Sequence, residues 1–330
     1  MIKIFKTLSL FFKVSVFLFL PIEQVKAEWV KHSFDVMGTR SHLEFELPNN
    51  SDREEIISLV VDEMNRIDRL MSPFKPSSEL SKINRDASKK KIRISKELFN
   101  LLEESARFSK LTQGSFDISF SSIGYLYDFR KSIRPTEKQL TNLTKAINFH
   151  SIQLDKTKNT VHFANANVKI DLGGIAKGYA VDQSIKLLMQ ARVKNAYVSA
   201  GGDSRIIGKK QDRLWYIGIK HPRMKGKLLA NLPLEEVSIS TSGDYERFFI
   251  KDGVRYHHII DPKTGDSARS LQSVTILASN STTADALSTS VFILGRKKGL
   301  ELINNLTDTS VIIVDAKGKI HFSDDMAQIE

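Results

Sequence analysis

Three short segments hold side chains that could do chemistry. In Asp171-Leu172-Gly173-Gly174-Ile175-Ala176-Lys177-Gly178 a hydrophobic run ends in an acid, turns through paired glycines and feeds a helix. Glycines at a helix start let a ligand approach free backbone N–H groups, and the helix dipole favours an anion there. Lys177 falls in the first turn, where a cation opposes the dipole and points to a negative partner nearby. The same string also suits an ordinary strand–helix turn. In Ala284-Asp285-Ala286-Leu287-Ser288-Thr289, Asp285 and Thr289 stand four apart on a predicted helix, so both oxygens project from one face. A carboxylate and a hydroxyl, completed by backbone carbonyls and phosphate oxygens, suit a hard cation such as Mg²⁺. Asp285 alone would equally be a charge favoured by the first helical turn. In the run from Tyr256 to Gly265, two adjacent histidines lie on a predicted strand that enters a Pro/Gly turn. Consecutive strand residues face opposite sides, so one histidine at most can face a given site. An imidazole there could take the proton of a hydroxyl nucleophile, or be purely structural. Two glycine-centred turns, Ala200-Gly201-Gly202-Asp203 and Thr241-Ser242-Gly243-Asp244-Tyr245-Glu246-Arg247, could cradle a ligand or simply reverse the chain.

The elements that must position these residues change character along the chain. Ile56, Val60, Met64, Ile67 and Met71 recur at three and four, which predicts an amphipathic helix over 52–71 with Ser51 or Asp52 as cap. Further helices are predicted from Ser95 to about Lys110 and, after Pro135, from Thr136 to about Ile147. From residue 160 strand-like runs dominate: Val168–Leu172, Ala196–Ser199, Leu214–Lys220, Val237–Thr241, Tyr256–Ile260, Ser273–Ala278 and Ser310–Val314, with helices near 174–190 and 282–294. Strands without regular helical crossovers predict an α+β fold on antiparallel or mixed sheets with flanking helices, not a doubly wound parallel sheet. No G-x-G-x-x-G follows a strand, which disfavours a dinucleotide-binding oxidoreductase.

Composition narrows the chemistry further. The 330 residues contain no cysteine, which removes thiol nucleophiles, cysteine zinc sites and disulfides. With 41% hydrophobic and 26% charged residues, the chain reads as soluble and globular. The net charge of +11 suits an anionic ligand or surface, but no stripe of cations interleaved with aromatics marks nucleic-acid binding. Lys3 and Lys6 precede an apolar run to Leu20, broken by Pro21 and ended by Val25-Lys26-Ala27. That pattern predicts a secretory signal over 1–27, cleaved after Ala27, with an uncleaved anchor as the alternative. The remainder, 28–330, is expected to form one compact domain.

In combination and in order, the segments are specific. Met37-Gly38-Thr39, Met71-Ser72-Pro73-Phe74, Ser78-Glu79-Leu80-Ser81-Lys82-Ile83-Asn84 and Gly114-Ser115-Phe116-Asp117 precede those above, and eight separated motifs from about residue 33 to 295 resemble the bacterial FAD:protein FMN transferases (the ApbE-like family). The resemblance implies a T-fold-like α+β domain and a periplasmic, Mg²⁺-dependent enzyme. Its reaction would move FMN from FAD onto a Ser or Thr hydroxyl of a membrane redox subunit, releasing AMP. It implies FAD contacts at Met37, Phe74, Ser115, Phe116, Asp117, Asp171, Lys177 and Ile259, metal ligands at Asp285, Thr289 and the Gly174 carbonyl, and His258 as general base. Many relatives carry Tyr where this chain has Phe74, which keeps stacking but loses a hydroxyl. Many begin with a lipoprotein cysteine that is absent here, so association with the inner membrane stays open. A Mg²⁺-dependent FAD pyrophosphatase and a non-catalytic flavin-binding protein are the rival readings.

Overall fold

Alternating apolar and polar side chains run through residues 29–46. In the computed structural model, which describes residues 28–327, they fold as a hairpin of β1 (Trp29–Val36) and β2 (Thr39–Glu46). Two residues join the strands, Met37 at φ 54° and Gly38 at φ 69°. A two-residue hairpin asks for left-handed backbone at both positions. Glycine adopts it freely, whereas a methionine is held there at roughly 1–2 kcal/mol.

The chain then leaves the sheet for residues 47–195 and returns as β3 (Ala196–Ala200), antiparallel to β2. β4 (Asp203–Ile207), β5 (Ser238–Gly243), β6 (Leu271–Ala278), β7 (Thr309–Asp315) and β8 (Ile320–Phe322) follow, each antiparallel to the one before. Spatial order in this eight-stranded sheet is therefore chain order. Val198 and Ile207 point into the main core, whereas Ile206 and Ile239 pack on the opposite face against Trp215 and Ile219 of a hairpin, Trp215–Lys220 with Leu228–Leu234.

Helices cover the core face. α1 (Arg53–Met71) buries Ile56, Val60, Met64, Ile67 and Met71, and Asp52 caps it by accepting the Glu54 N–H at 2.8 Å. α2 (Lys96–Leu111) is capped by Ser95. α3 (Ala176–Gln190) packs on β3 and β4, and α4 (Ser281–Asn304) on β5, β6 and β7. α3 lies between α1 and α4. Asp182 of α3 accepts the N–H groups of Ser281 and Thr282 at 2.9 and 2.8 Å, so one helix fixes the start of the other. Unpaired N–H groups at a helix start need such acceptors.

The α+β expectation holds, and each described ladder is antiparallel. Four expectations need correction. Val168–Leu172 is extended but joins no sheet: Lys169 donates to Ser122 Oγ, Ile170 to Asn84 Oδ1 and Asp171 to the Ile118 carbonyl. The predicted strand Tyr256–Ile260 ends at His257, its partner being Phe248–Lys251 in a separate hairpin. The helix expected to end near 294 breaks at Gly295, φ 78°, and then runs on to Asn304. The helix from Thr136 stops at Leu143, and a 3₁₀ turn, Thr144–Ala146, carries the chain on. The proposed signal segment lies outside the described residues.

Candidate active site

The first turn of α3 and the second turn of α4 meet in a contact only a glycine permits. A Cβ on Gly178 would stand 2.2 Å from the Ser281 carbonyl oxygen and 2.9 Å from Asp285 Cβ. The Gly178 N–H, which in an uninterrupted helix would bond the carbonyl four residues back, donates to Asp285 Oδ2 at 3.1 Å. No backbone donor then serves the Gly174 carbonyl among the described residues. A Cβ on Gly174 would lie 3.3 Å from Thr289 Oγ1, so the Gly174 main chain and the Thr289 hydroxyl are neighbours.

The charges around this contact do not balance. Lys177 Nζ donates to Asp203 Oδ2 at 2.6 Å and to Asp285 Oδ2 at 3.3 Å, and the two carboxylates are only 2% and 3% exposed as residues. Two buried acids share one ammonium, so their carboxyl groups repel one another across Lys177. Burial works against the Lys177 charge, but Asp203 and Asp285 more than offset it and hold the ammonium above its usual range. Burial and the Asp203 charge push the Asp285 carboxyl upward, against the pull of Lys177 and the Gly178 N–H. A divalent cation relieves that repulsion. Asp285, Thr289 and the freed Gly174 carbonyl supply one carboxylate, one hydroxyl and one carbonyl, all hard oxygen donors. No cluster of three acidic or histidine side chains exists among the described residues. This donor set therefore fits a Mg²⁺ that takes its remaining ligands from phosphate and water.

Hydroxyls fill the space between the acids. Ser240 Oγ donates to Asp203 Oδ1 at 2.6 Å and lies 2.9 Å from Ser288 Oγ. Ser288 in turn lies 2.8 Å from Ser242 Oγ, and Ser242 is 3.4 Å from Thr289 Oγ1. This buried chain ties Asp203 on β4 to Thr289 on α4 through two side chains of β5. Asp203, Ser242 and Ser288 lie in segments singled out from the sequence but given no role there, and Ser240 lies outside them. The signal was present: Ser240 and Ser242 are two apart on a strand, hence on one face, in a stretch otherwise fit for the core.

The histidine pair divides at the strand end. His257 is sealed: its Nε2 lies 2.5 Å from the Ala268 carbonyl, its Nδ1 accepts the Ile259 N–H at 3.3 Å, and its ring edges onto Phe292. His258 is half-buried, and its Nδ1 is buried with no partner at all. Burial, then the charges of His257, Arg247 and Lys177, pull its imidazole down to about 3, so it stands neutral. Asp171 Oδ1 accepts the Gly173 N–H at 2.6 Å. Burial pushes the Asp171 carboxyl up, while that N–H, Arg247 and Lys177 pull it down. Lys177 and Arg247 thus act on both His258 and Asp171, and the fold brings these expected site residues within electrostatic reach of one another.

Other expected contacts are placed less evenly. Met37 and Gly38 line a cavity of about 510 Å³ with Asn65, Asp68 and Lys75. Phe74, beside Lys75, is 84% exposed, so its ring is free to stack on a flat partner. Ser115 is buried, and Phe116 lies under Gly174, its Cε2 3.4 Å from the Cβ position there, forming floor rather than wall. At two residues the polar groups are engaged within the protein. The Asp117 carboxylate is consumed by its own loop, accepting from Ser119 N at 2.8 Å, Ser119 Oγ at 2.6 Å and Phe149 N at 2.8 Å. Ile259 is 5% exposed within the core; its N–H serves His257 and its carbonyl accepts from Ala268. Both hold the site's framework.

Comparison with known proteins agrees with this fold. The sequence pattern of the ApbE family matches residues 37–313. A Haemophilus influenzae FAD:protein FMN transferase is 33% identical over 94% of both chains. A Treponema pallidum protein of the same name is 31% identical over 79% of this chain and 76% of its own. Among solved structures, the ApbE protein of Thermotoga maritima superposes with a TM-score of 0.85 at 32% identity, covering 92% of this chain and 99% of that one. The flavin transferase ApbE of Vibrio cholerae gives 0.83 at 26% identity over the same shares.

Proposed function

This chain belongs to the ApbE family, and on that premise we propose that it is an exported FAD:protein FMN transferase working with Mg²⁺ at Asp285, Thr289 and the Gly174 carbonyl. The observation that carries the reading is the buried pair Asp203 and Asp285 sharing one lysine, beside a hydroxyl and a freed carbonyl. In the reaction, the acceptor's Ser or Thr hydroxyl gives its proton to His258. The oxygen bonds to the FMN phosphorus, the phosphoanhydride P–O bond breaks, and AMP leaves with the electron pair. His258 suits this because its imidazole stands neutral and is only half-buried. A positioned base of this kind contributes ~10²–10⁴-fold. Mg²⁺, when bound, neutralises diphosphate oxygens and eases departure of the leaving phosphate. Lys177 holds Asp203 and Asp285 in place, and Phe74 with Met37 offers a surface for a flat ring.

The acceptor proposed is an exported subunit of a membrane redox protein, met in the periplasm after the signal segment 1–27 has directed export. The test is incubation of the protein with FAD, Mg²⁺ and membranes of the source organism, followed by flavin fluorescence on a denaturing gel and assay of AMP. A fluorescent band and stoichiometric AMP are expected. FMN with no labelled band would reassign the chain as a hydrolase, and FAD retained without AMP would make it a binding protein. Asp285→Ala and His258→Ala are both expected to abolish transfer, only the former weakening the metal dependence of FAD binding. Transfer retained by Asp285→Ala at saturating Mg²⁺ would overturn the metal assignment.

A further inference from the structure

The hairpin of Trp215–Lys220 with Leu228–Leu234 packs one face on the sheet and leaves the other uncovered among the described residues. Trp215, Ile217 and Ile219 point inward, so by the alternation of a strand Tyr216, Gly218 and Lys220 point out. A Cβ on Gly218 would stand 2.8 Å from Leu228 Cδ2, so the leucine lies across that glycine on the outer face. Met224 stands in the loop 221–227 that joins the two strands. Tyr216, Met224 and Leu228 are each more than half exposed. Charge marks the same hairpin: from Arg213 to Leu234 the chain has five cations, Arg213, Lys220, Arg223, Lys225 and Lys227, and no acid. Arg223 is bidentate to Asp244 at 2.7 and 2.6 Å, and Lys220 lies 3.6 Å from Glu246. Lys225 and Lys227 are exposed and have no ion-pair partner among the described residues. Met224 and Leu228 thus each have an unpaired lysine beside them in the chain.

Charge decides what fits this face. A second copy would set cation against cation. The segment 1–27 carries Lys3, Lys6, Lys13 and Lys26 against Glu23 and meets the same repulsion. An anionic lipid surface matches both features, because apolar side chains enter the headgroup boundary while lysine stems lie along it with their ammonium groups at the phosphates. We propose that the tip of this hairpin docks on an anionic lipid surface, with Met224 and Leu228 as its apolar points and Lys225 and Lys227 as its cations. Arg223 grips Asp244 in the turn that leads to Arg247, whose carbonyl accepts the His258 N–H at 3.1 Å. The docking tip and the candidate site therefore share one turn, and docking brings that site to the lipid surface. The contact needs no flavin, so it goes beyond the flavin-transfer reading and stands apart from it.

The lack of cysteine supplies the probe. Met224→Cys takes an environment-sensitive fluorophore at the tip alone, and Lys317→Cys places the same label in the exposed turn between β7 and β8 as control. Full-length protein is mixed with vesicles of equal parts phosphatidylcholine and phosphatidylglycerol, or of phosphatidylcholine alone. A blue shift is expected at residue 224 on the anionic vesicles only and none at 317, a contrast that attachment through residues 1–27 would not give. Adding Lys225→Gln with Lys227→Gln to the tip-labelled protein should remove most of the shift, since each cation at such a surface is worth about fivefold in binding. Raised salt should act in the same direction. AMP release from FAD in the absence of vesicles should not change in that variant. A shift at 224 that is equal on both kinds of vesicle, or matched at 317, or indifferent to the lysines would overturn the proposal. No shift at 224 on the anionic vesicles would overturn it too, and would leave the face to a protein partner. If wild type releases no AMP from FAD, the flavin-transfer reading fails by itself, and the shift still judges the hairpin.

Discussion

One residue separates a histidine whose two ring nitrogens are both engaged from a histidine whose buried Nδ1 has no partner. The difference arises where the strand Val254–His257 stops, so that the next residue lies outside the ladder and its ring is not sealed as its neighbour's is. The depressed His258 imidazole has a consequence with a definite sign. Its folded-state value, about 3, lies below its ordinary value, so the folded protein binds fewer protons than the unfolded chain between the two. Its contribution to stability is therefore complete above about pH 6.5 and is lost as the pH falls toward 3. His258→Gln should flatten that acid decline in a urea-melt series, and an unchanged slope would contradict the burial of the ring. In turnover, kcat/KM reports groups of the free enzyme. At saturating Mg²⁺ the wild-type profile should show no histidine inflection between about pH 5 and 8, and an inflection there would contradict the depressed imidazole.

Gly178 carries the corresponding argument for elements. Its missing side chain lets α3 and α4 close until its N–H reaches Asp285, and that displaced bond is what releases the Gly174 carbonyl. Gly178→Ala would press a methyl into backbone, and overpacking of this kind costs roughly 1–3 kcal/mol. The expected result is a lower melting temperature together with weakened Mg²⁺ affinity, measured by titration on protein that is still folded. Loss of stability with metal affinity intact would separate the helix contact from the site. The sequence made much of this legible. α1, α2, α3 and the start of α4 follow from apolar spacing and from caps at Asp52 and Ser95. The pairing of Asp285 with Thr289 follows from a spacing of four. Less visible were features that depend on distant partners. Val168–Leu172 has a strand's composition, yet side chains of Asn84 and Ser122 satisfy its backbone. Strand Leu228–Leu234 contains Pro233 and was not read as a strand. Asp117 and Ile259 sit in motif segments, but only the packed structure shows their groups engaged internally. Lys177 and its two acids come from three elements remote in sequence, so no local pattern could join Asp203 to Asp285.

Across the whole molecule, every strand pair of the sheet is made between strands consecutive in its order, yet the chain lengths between them are very unequal. Two residues, Gly201 and Gly202, join β3 to β4, whereas residues 47–195 separate β2 from β3. Loop closure costs about 0.6 kcal/mol for each doubling of length, so the β2–β3 ladder carries about 4 kcal/mol more closure entropy than the turn beside it. Such non-local pairings form late in folding. In pulse-labelled hydrogen exchange during refolding, the amides that bond β3 to β4 should gain protection before those that bond β2 to β3, and simultaneous protection would argue against it. The hairpin that carries Met37 is thus synthesised first and seated last. A chain caught between those moments would hold its acids, hydroxyls and histidine in place and still lack one wall of the cavity that Met37 and Gly38 line.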